Sequence, residues 1–167
     1  DVISEEAELK ILDLNNSSME TSVFKGEETP ELLRKIGSLR VKVWSNLVPE
    51  NVEVERFGLN PCDKDSWHIY VERDDRIIAS ARLSIHSNLD SIQEPENVLP
   101  AKELMTFPIA MLSRTVVDPD YRKLGCAQAL DKARISLARE LNASEIWAEC
   151  SGHRINALHA LDFENIC

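Results

Sequence analysis

Residues 109–127 read Ile109-Ala-Met-Leu-Ser-Arg-Thr-Val-Val-Asp-Pro-Asp-Tyr-Arg-Lys-Leu-Gly-Cys-Ala127, and this stretch decides the fold. Its first part is short and mostly apolar, with β-branched residues toward its end, which predicts a buried strand over residues 109–117. Asp118-Pro119-Asp120 ends this strand, because proline has no N–H to donate to a sheet ladder. From Leu124 the apolar residues follow helical spacing, which predicts a helix to about Leu141.

The junction between this strand and this helix has the composition of an anion site. A helix N-terminus carries N–H groups without intrahelical partners and a partial positive charge. Gly125 and Ala127 are small enough for a phosphate to approach the backbone, and Arg122 and Lys123 add full positive charges. The sequence therefore predicts that residues 122–127 bind a pyrophosphate.

Composition limits the class of protein. The chain has 167 residues with 43% apolar and 29% charged side chains, which is typical of one soluble globular domain. No apolar run reaches the length of a membrane span and no signal peptide opens the chain, so we expect a cytoplasmic protein without a membrane partner. The four cysteines lack metal-ligand spacing, which predicts free thiols and no metal.

The net charge of −10 is concentrated near the N-terminus, where residues 1–31 hold nine acidic side chains and two lysines. Phosphates would be repelled by such a surface, so nucleic acid is not an expected partner. An amine-bearing acceptor, either a small molecule or a peptide, would suit it.

The central stretch resembles the coenzyme A signature of the GCN5-related N-acetyltransferases (GNAT). In that signature a strand ends in Val-x-Pro and Arg-x-x-Gly-x-Ala opens the next helix, and here Arg122, Gly125 and Ala127 occupy the three defining positions. The core match runs over residues 109–163, with weaker similarity back to residue 32. The resemblance implies an α/β fold with a mixed, splayed central sheet and helices on both faces. It also implies transfer of an acetyl group from acetyl-CoA to an amine by direct attack.

The resemblance also implies where coenzyme A binds. The pantetheine arm would enter a gap between the strand that ends at Val117 and the strand that ends near Cys150. Backbone groups of Thr115, Val116 and Val117 would pair with this arm, and an N–H near Val117 would stabilise the oxyanion. The pyrophosphate would contact Arg122, Lys123, Leu124, Gly125, Cys126 and Ala127. Cys126 is expected to pack in this loop and not to act as a nucleophile.

The catalytic groups are less well defined. Glu149, at the end of the strand that lines the gap, is the first candidate for a base. The family's usual tyrosine acid falls on Leu158, which cannot donate a proton, and His159 is a candidate substitute. The family's frequent asparagine falls on Ser151, or on Asn156 if a gap shifts the register.

The remaining elements are predicted from local patterns. We expect an acidic segment over residues 1–28 and a single domain over residues 29–167. In the first half of the chain we expect a strand at 7–14, a loop at 15–28, a helix from Thr29-Pro30 to Trp44 and a hairpin of 67–72 and 76–85. A long connection at 86–107 follows, with a helical turn near 101–105. After the central strand and helix we expect a strand at 143–150 and a helix at 154–161. Arg82 lies inside the hairpin, where a charge either faces solvent or lines a substrate cleft.

The C-terminus leaves two alternatives open. The chain stops four residues after Phe163. Either the last strands of the fold are very short, or the sequence ends before the family's last strand.

Two other functions compete with acetyl transfer. Arg40-Val-Lys-Val-Trp44, Glu53-Val-Glu55-Arg-Phe57 and Ala81-Arg82-Leu83 resemble parts of the acyl-homoserine-lactone and N-acyl amino acid synthases, which use longer acyl thioesters. In the acetyltransferase interpretation, Glu53 and Glu55 are second choices for the base after Glu149, on a segment that often covers the acceptor site in that family. The missing tyrosine favours a second alternative, a coenzyme-A-binding sensor or interaction domain without catalysis. The oligomeric state stays open, with a dimer as one possibility.

Overall fold

The computed structural model describes residues 19–45, 58–93, 95–150 and 152–166. In chain order its main elements are β1 (Ser22–Lys25), α1 (Pro30–Trp44), α2 (Cys62–Asp65), β2 (Trp67–Arg73), β3 (Arg76–His86), β4 (Ile109–Val117), α3 (Cys126–Glu140), β5 (Glu145–Ala148) and α4 (Gly152–His159). The predicted strand at 7–14 lies outside the described residues, as do Glu53 and Glu55. No helix in these four ranges is long and apolar enough to cross a bilayer.

The five strands form one mixed sheet in the order β1-β2-β3-β4-β5. The first three pairs are antiparallel and β4 pairs with β5 in parallel. The parallel ladder extends only from Ile109 opposite Glu145 to Leu112 opposite Ala148. Because β4 continues to Val117 while β5 ends at Ala148, the two strands separate at one end of the sheet. The predicted mixed, splayed sheet is confirmed.

Helices cover both faces of this sheet, as predicted. On one face α3 packs against alternate residues of β3, including Ala79, Ala81 and Leu83. On the other face α1 packs against the sheet through a second cluster that includes Phe24 and Val116. The alternation is interrupted at the start of β3, where Ile77 belongs to the α1-side cluster and Ile78 to the α3-side cluster. From Ser80 onward the intervening residues, at even positions, lie on the α1 face.

A bulge in β4 marks the place where the strands separate. Arg114 and Thr115 together oppose the single residue Ala81, and Arg114 has a φ of 57°. Bulges leave backbone groups without ladder partners and bend the strand. Flanking pairs are Ser80 opposite Val116 and Arg82 opposite Ser113.

Arg134 of α3 supplies the missing partners at this bulge. Its buried guanidinium donates to the carbonyl oxygens of Arg82 and Ser113, each at 3.1 Å, and to Oγ1 of Thr115 at 3.0 Å. Asp131, one turn earlier on α3, accepts a hydrogen bond from Arg134 and another from Arg154 of α4. The bulge is thus held by α3, which begins at the predicted phosphate loop.

Most predicted elements are confirmed, and the differences have simple causes. The loop predicted at 15–28 is wrong for residues 22–25, which form β1 and bury Phe24. A four-residue strand with one buried side chain offers too little alternation to be detected. Thr29 precedes α1, with Pro30 at its start as predicted, but the Thr29 hydroxyl makes no capping hydrogen bond. The predicted helical turn in the long connection is a 3₁₀ segment at Leu99–Leu104.

Candidate active site

The predicted phosphate loop lies between two buried anchors. Tyr121 and Cys126 are both buried, and the Sγ of Cys126 lies 3.8 Å from the carbonyl oxygen of Tyr121. Burial raises the pKa of the Cys126 thiol, so it stays protonated and packs, as the sequence predicted. Between these anchors Arg122 and Lys123 are exposed.

Gly125 is the residue that opens this loop. It precedes α3 with a φ of 86°, a conformation that glycine adopts without strain. A Cβ added there would meet no atom within 4 Å, so open space lies in front of the helix. The first backbone bond of the helix runs from the N–H of Ala129 to the carbonyl of Gly125, so the N–H groups of residues 126–128 come before the intrahelical ladder. Space, free donors and two exposed cations fit a pyrophosphate.

The predicted pantetheine segment is Thr115, Val116 and Val117. Thr115 is held by Arg134 through its hydroxyl, and Val116 is buried in the α1-side cluster. Their side chains therefore serve the core. The edge of β4 that faces β5 is left unpaired by β5 beyond Leu112.

A cavity of about 450 Å³, which we call the polar cavity, opens on the α1 face near this separation. Its lining includes Arg82, Ser84 and His86 of β3, Ser113 and Arg114 of β4, and Glu149 just beyond β5. Arg82 therefore lines a cleft, the second of its two predicted alternatives, and it is 5% exposed. Arg82 Nε donates to Ser113 Oγ at 3.0 Å, which connects β3 to the start of the bulge.

A buried ion cluster holds the guanidinium of Arg82 in place. Asp63 of α2 accepts hydrogen bonds from Arg40 at 2.9 Å and from Arg82 at 3.2 Å. Burial by itself raises the pKa of Asp63, but Arg40, the N–H of Asn60 and Arg82 outweigh it and hold this pKa below its usual value. His68 Nε2 lies 2.8 Å from the backbone carbonyl of Asp63, and burial lowers the pKa of His68 to about 4.

Glu149 lies between the polar cavity and a second cavity of about 710 Å³. It is exposed, and both of its carboxylate oxygens accept from the side-chain amide of Asn97, at 3.4 and 3.3 Å. The position predicted for the base therefore faces the region where β4 and β5 separate.

The larger cavity has a different character. It runs along the free side of β5 and is lined by Ile146, by Ile135 of α3 and by C-terminal residues that include Phe163. It is more apolar than the polar cavity and does not include the bulge residues of β4. We therefore place the candidate acceptor site in the polar cavity.

The structure does not bring the α4 candidates into either cavity. His159 is exposed, and its Nε2 lies 3.3 Å from the Oδ1 of Asn165. Asn156 is also exposed, and neither residue lines the polar cavity or the larger one. Leu158 is buried, and Ser151 lies outside the described residues. Roles for His159, Asn156 and Ser151 stay predictions.

Sequence reasoning missed Ser84 and His86. The signal was available: Arg82, Ser84 and His86 alternate with apolar residues along β3, so polar groups occupy one face of a strand near the centre of the sheet. Among the described residues, no group of three or more His, Cys, Asp or Glu side chains is placed to hold a metal ion.

Comparison with protein families assigns the chain to a family. The family model described as "Acetyltransferase (GNAT) family" matches residues 34–163. The chain therefore belongs to the GNAT family, and its class is that of a GNAT-type N-acetyltransferase. A comparison with curated proteins finds no match by sequence.

Several solved structures share the fold. A predicted acetyltransferase with acetyl-CoA from Clostridium acetobutylicum is 15% identical, with a TM-score of 0.62, and the match covers 89% of this chain and 91% of that one. Glucosamine-6-phosphate N-acetyltransferase from Arabidopsis thaliana is 13% identical, with a TM-score of 0.56 and coverage of 89% and 94%. An aminoglycoside acetyltransferase from an uncultured soil metagenomic sample, in complex with sisomicin, is 13% identical, with a TM-score of 0.56 and coverage of 89% and 91%.

Proposed function

We propose that the protein transfers an acetyl group from acetyl-CoA to an amine of a small molecule or peptide by direct attack. The observation that carries this proposal is the open space at Gly125 before α3, combined with the separation of β4 from β5 beyond Leu112. One feature suits a pyrophosphate and the other suits an extended arm that carries a thioester. Acetyl-CoA is a substrate in this proposal, and no metal takes part.

The donor would bind largely through the main chain. N–H groups at the start of α3 would bind the pyrophosphate, aided by the charges of Arg122 and Lys123. The free edge of β4 around Thr115, Val116 and Val117 would pair with the pantetheine amides. Such binding needs few specific side chains, which accounts for a short sequence motif.

The acceptor would occupy the polar cavity. Its nitrogen must be neutral to attack the thioester carbon, because an ammonium has no lone pair. In this proposal Glu149 takes one proton from the ammonium, the free amine adds to the carbonyl carbon, and an N–H near Val117 stabilises the oxyanion. The carbon–sulfur bond then breaks and the thiolate leaves.

The neighbouring structures support an amine acceptor of small size. One of them is named as a glucosamine-6-phosphate N-acetyltransferase and another as an aminoglycoside acetyltransferase, so both named acceptors contain amino sugars. The carboxylate of Glu149 at one wall of the polar cavity would attract a cationic amine. A cytoplasmic location and the absence of nucleic-acid or membrane partners stay predictions.

Donor choice tests the proposal against the synthase alternative. The purified protein is incubated with an amine panel and equal amounts of acetyl-CoA and a long-chain acyl carrier protein thioester, and each free thiol is quantified by mass spectrometry. We expect acetyl-CoA to be consumed faster, because carrier proteins present acidic surfaces and this chain is itself acidic. Faster use of the carrier-protein thioester would support a synthase, and binding without turnover would support a sensor domain.

Glu149→Gln tests the base. The substitution keeps the size of the side chain and a partner for Asn97 but removes its basicity. We expect turnover at neutral pH to fall about 10²–10⁴-fold, while the affinity for acetyl-CoA is unchanged. The loss should shrink as pH rises, because more of the amine is then neutral without help.

Glu164→Gln is the matched control, since Glu164 is exposed and lines only the larger cavity. It should leave turnover unchanged. A loss in Glu149→Gln that is equal at every pH would assign Glu149 to acceptor binding, and full activity would remove it from the site.

A further inference from the structure

Two side chains of β3 and one from the following segment form a hydrogen-bonded chain at the wall of the polar cavity. Nε2 of His86 lies 2.8 Å from Oγ of Ser84, and Nδ1 of His86 lies 3.2 Å from Oγ of Ser91. Ser84 and His86 are each 5% exposed and line the polar cavity, whereas Ser91 is exposed. The chain thus connects the cavity with the surface.

The donor and the acceptor of each hydrogen bond in this series can be assigned. The hydroxyl of Ser91 lies 2.8 Å from the carbonyl oxygen of Asn88, to which it can only donate. Its single hydrogen is then used, so Ser91 Oγ accepts from Nδ1–H of His86. A neutral imidazole carries one proton, so Nε2 is the acceptor and the Ser84 hydroxyl donates to it. Ser84 Oγ keeps its lone pairs for a group in the cavity.

The surroundings keep His86 neutral. Burial lowers the pKa of His86 from its ordinary value, the backbone of Ser91 opposes this change, and the charge of Arg82 lowers the pKa further. A neutral Nε2 that already receives a hydroxyl hydrogen can accept that proton fully.

This hydrogen-bonded series also lies close to the proposed acceptor site. Ser84 pairs with Met111 of β4, and Met111 pairs with Trp147 of β5, so Ser84 is two strands from β5. Neighbouring strands are about 5 Å apart, which places Ser84 roughly 10 Å from the backbone of β5. The polar cavity spans this interval, because its lining reaches from Ser84 to Glu149. An acceptor in that cavity can therefore contact both residues.

The proposed chemistry leaves one proton without an acceptor. An ammonium loses two protons on its way to an amide, and Glu149 accounts for the first. The second must leave the positively charged nitrogen of the tetrahedral intermediate before the carbon–sulfur bond breaks. Leu158, at the position of the family's usual tyrosine, has no ionisable group to take part in proton transfer.

We propose, building on the acetyl-transfer function above, that Ser84 and His86 form the relay that removes this second proton. The N–H bond of the intermediate breaks and its proton joins Ser84 Oγ, while the original Ser84 proton moves to Nε2 of His86. A lone pair of the oxyanion then restores the carbonyl, and the carbon–sulfur bonding pair leaves with the thiolate. The imidazolium releases its Nδ1 proton on the Ser91 side, where solvent has access, and proton exchange with solvent after product release returns the ring to the Nδ1–H tautomer.

Four variants test the relay by steady-state kinetics with acetyl-CoA and an amine. Ser84→Ala and His86→Gln should each lower kcat by about 10²-fold, the low end for acid–base catalysis, with KM for acetyl-CoA unchanged. The double variant should be no slower than either single variant, because both residues serve one transfer. Ser84→Thr keeps the hydroxyl and should retain most of the activity. Ser80→Ala is the matched control, since Ser80 is buried on the same face of β3 but does not line the polar cavity.

A spectroscopic measurement tests the relay without turnover. Imidazole ¹⁵N shifts of the wild-type protein should show the Nδ1–H tautomer for His86, and Ser84→Ala should move the Nε2 resonance because its hydrogen-bond donor is removed. An Nε2–H tautomer overturns the relay, as do additive losses in the double variant or equal losses in Ser84→Ala and Ser84→Thr. If the wild-type protein consumes no acetyl-CoA, the acetyl-transfer function fails, and with it the relay's role. If the wild-type protein consumes acetyl-CoA and Ser84→Ala is equally active, the relay is overturned while the acetyl-transfer function stands.

Discussion

Gly125→Asp is expected to abolish coenzyme A binding while the protein stays folded. The added side chain would enter the open space before α3 and place a negative charge where the pyrophosphate must lie. The φ of 86° strains any side chain at this position, but aspartate tolerates a positive φ better than most residues, so the loss of stability should be smaller than for other substitutions. We expect the Kd for coenzyme A, measured by isothermal titration calorimetry, to rise at least ~100-fold, which is about 3 kcal/mol.

Gly125→Asn is the matched control because asparagine has the same shape and the same tolerance of positive φ without the charge. Its loss of affinity should be smaller by about tenfold or more, and this difference reports the charge of the ligand. Arg122→Ala should weaken binding by about 1.5–3 kcal/mol, the range for charge-assisted hydrogen bonds. Equal affinities for Gly125→Asp and the wild-type protein would contradict the acetyl-CoA proposal.

Asp63→Asn should produce the largest loss of stability. Asp63 is 0% exposed and is the carboxylate shared by Arg40 and Arg82, which are 1% and 5% exposed. Without its charge, two buried guanidinium groups lie side by side with no counter-ion among the residues that the structure describes. Removing one member of a buried ion pair costs about 3–5 kcal/mol. We expect urea denaturation at neutral pH to show a decrease of that size in the free energy of unfolding.

Asp65→Asn is the control for this substitution, because Asp65 belongs to the same short helix but is exposed. Its effect on the free energy of unfolding should be within about 0.5 kcal/mol, as for ordinary surface changes. If Asp63→Asn costs less than about 1 kcal/mol, the cluster is not the support for Arg82 that its geometry indicates.

The strand-turn-helix unit that contains the predicted phosphate loop was predictable because its signals are local. Pro119 ends a strand, Gly125 permits a positive φ, and the spacing from Leu124 onward is helical, so three neighbouring patterns agree on one strand-turn-helix unit. The structure confirms β4 and α3 close to the predicted limits. The short β1 gave no comparable signal, since it is held by its pairing with β2 and not by its own pattern.

The polar cavity was less predictable because its contacts are distant in sequence. Glu149 was selected as a candidate base through its position at the end of a strand, and its place in the lining of the cavity is consistent with that prediction. The sequence analysis did not select Ser84 and His86, because whether they line a site depends on which face of β3 is open to a cavity. Arg82 left two alternatives for the same reason.

By itself, the sequence determined the main helices and the strand-turn-helix unit of β4 and α3, because hydrophobic periodicity and turn chemistry act over a few residues. Only the tertiary structure decided that Arg40 and Arg82 share Asp63, and that the polar side of β3 faces the gap between β4 and β5. The physical reason is the low polarity of the interior. A buried charge or hydroxyl must find a partner there, and which partner it finds depends on how distant segments pack.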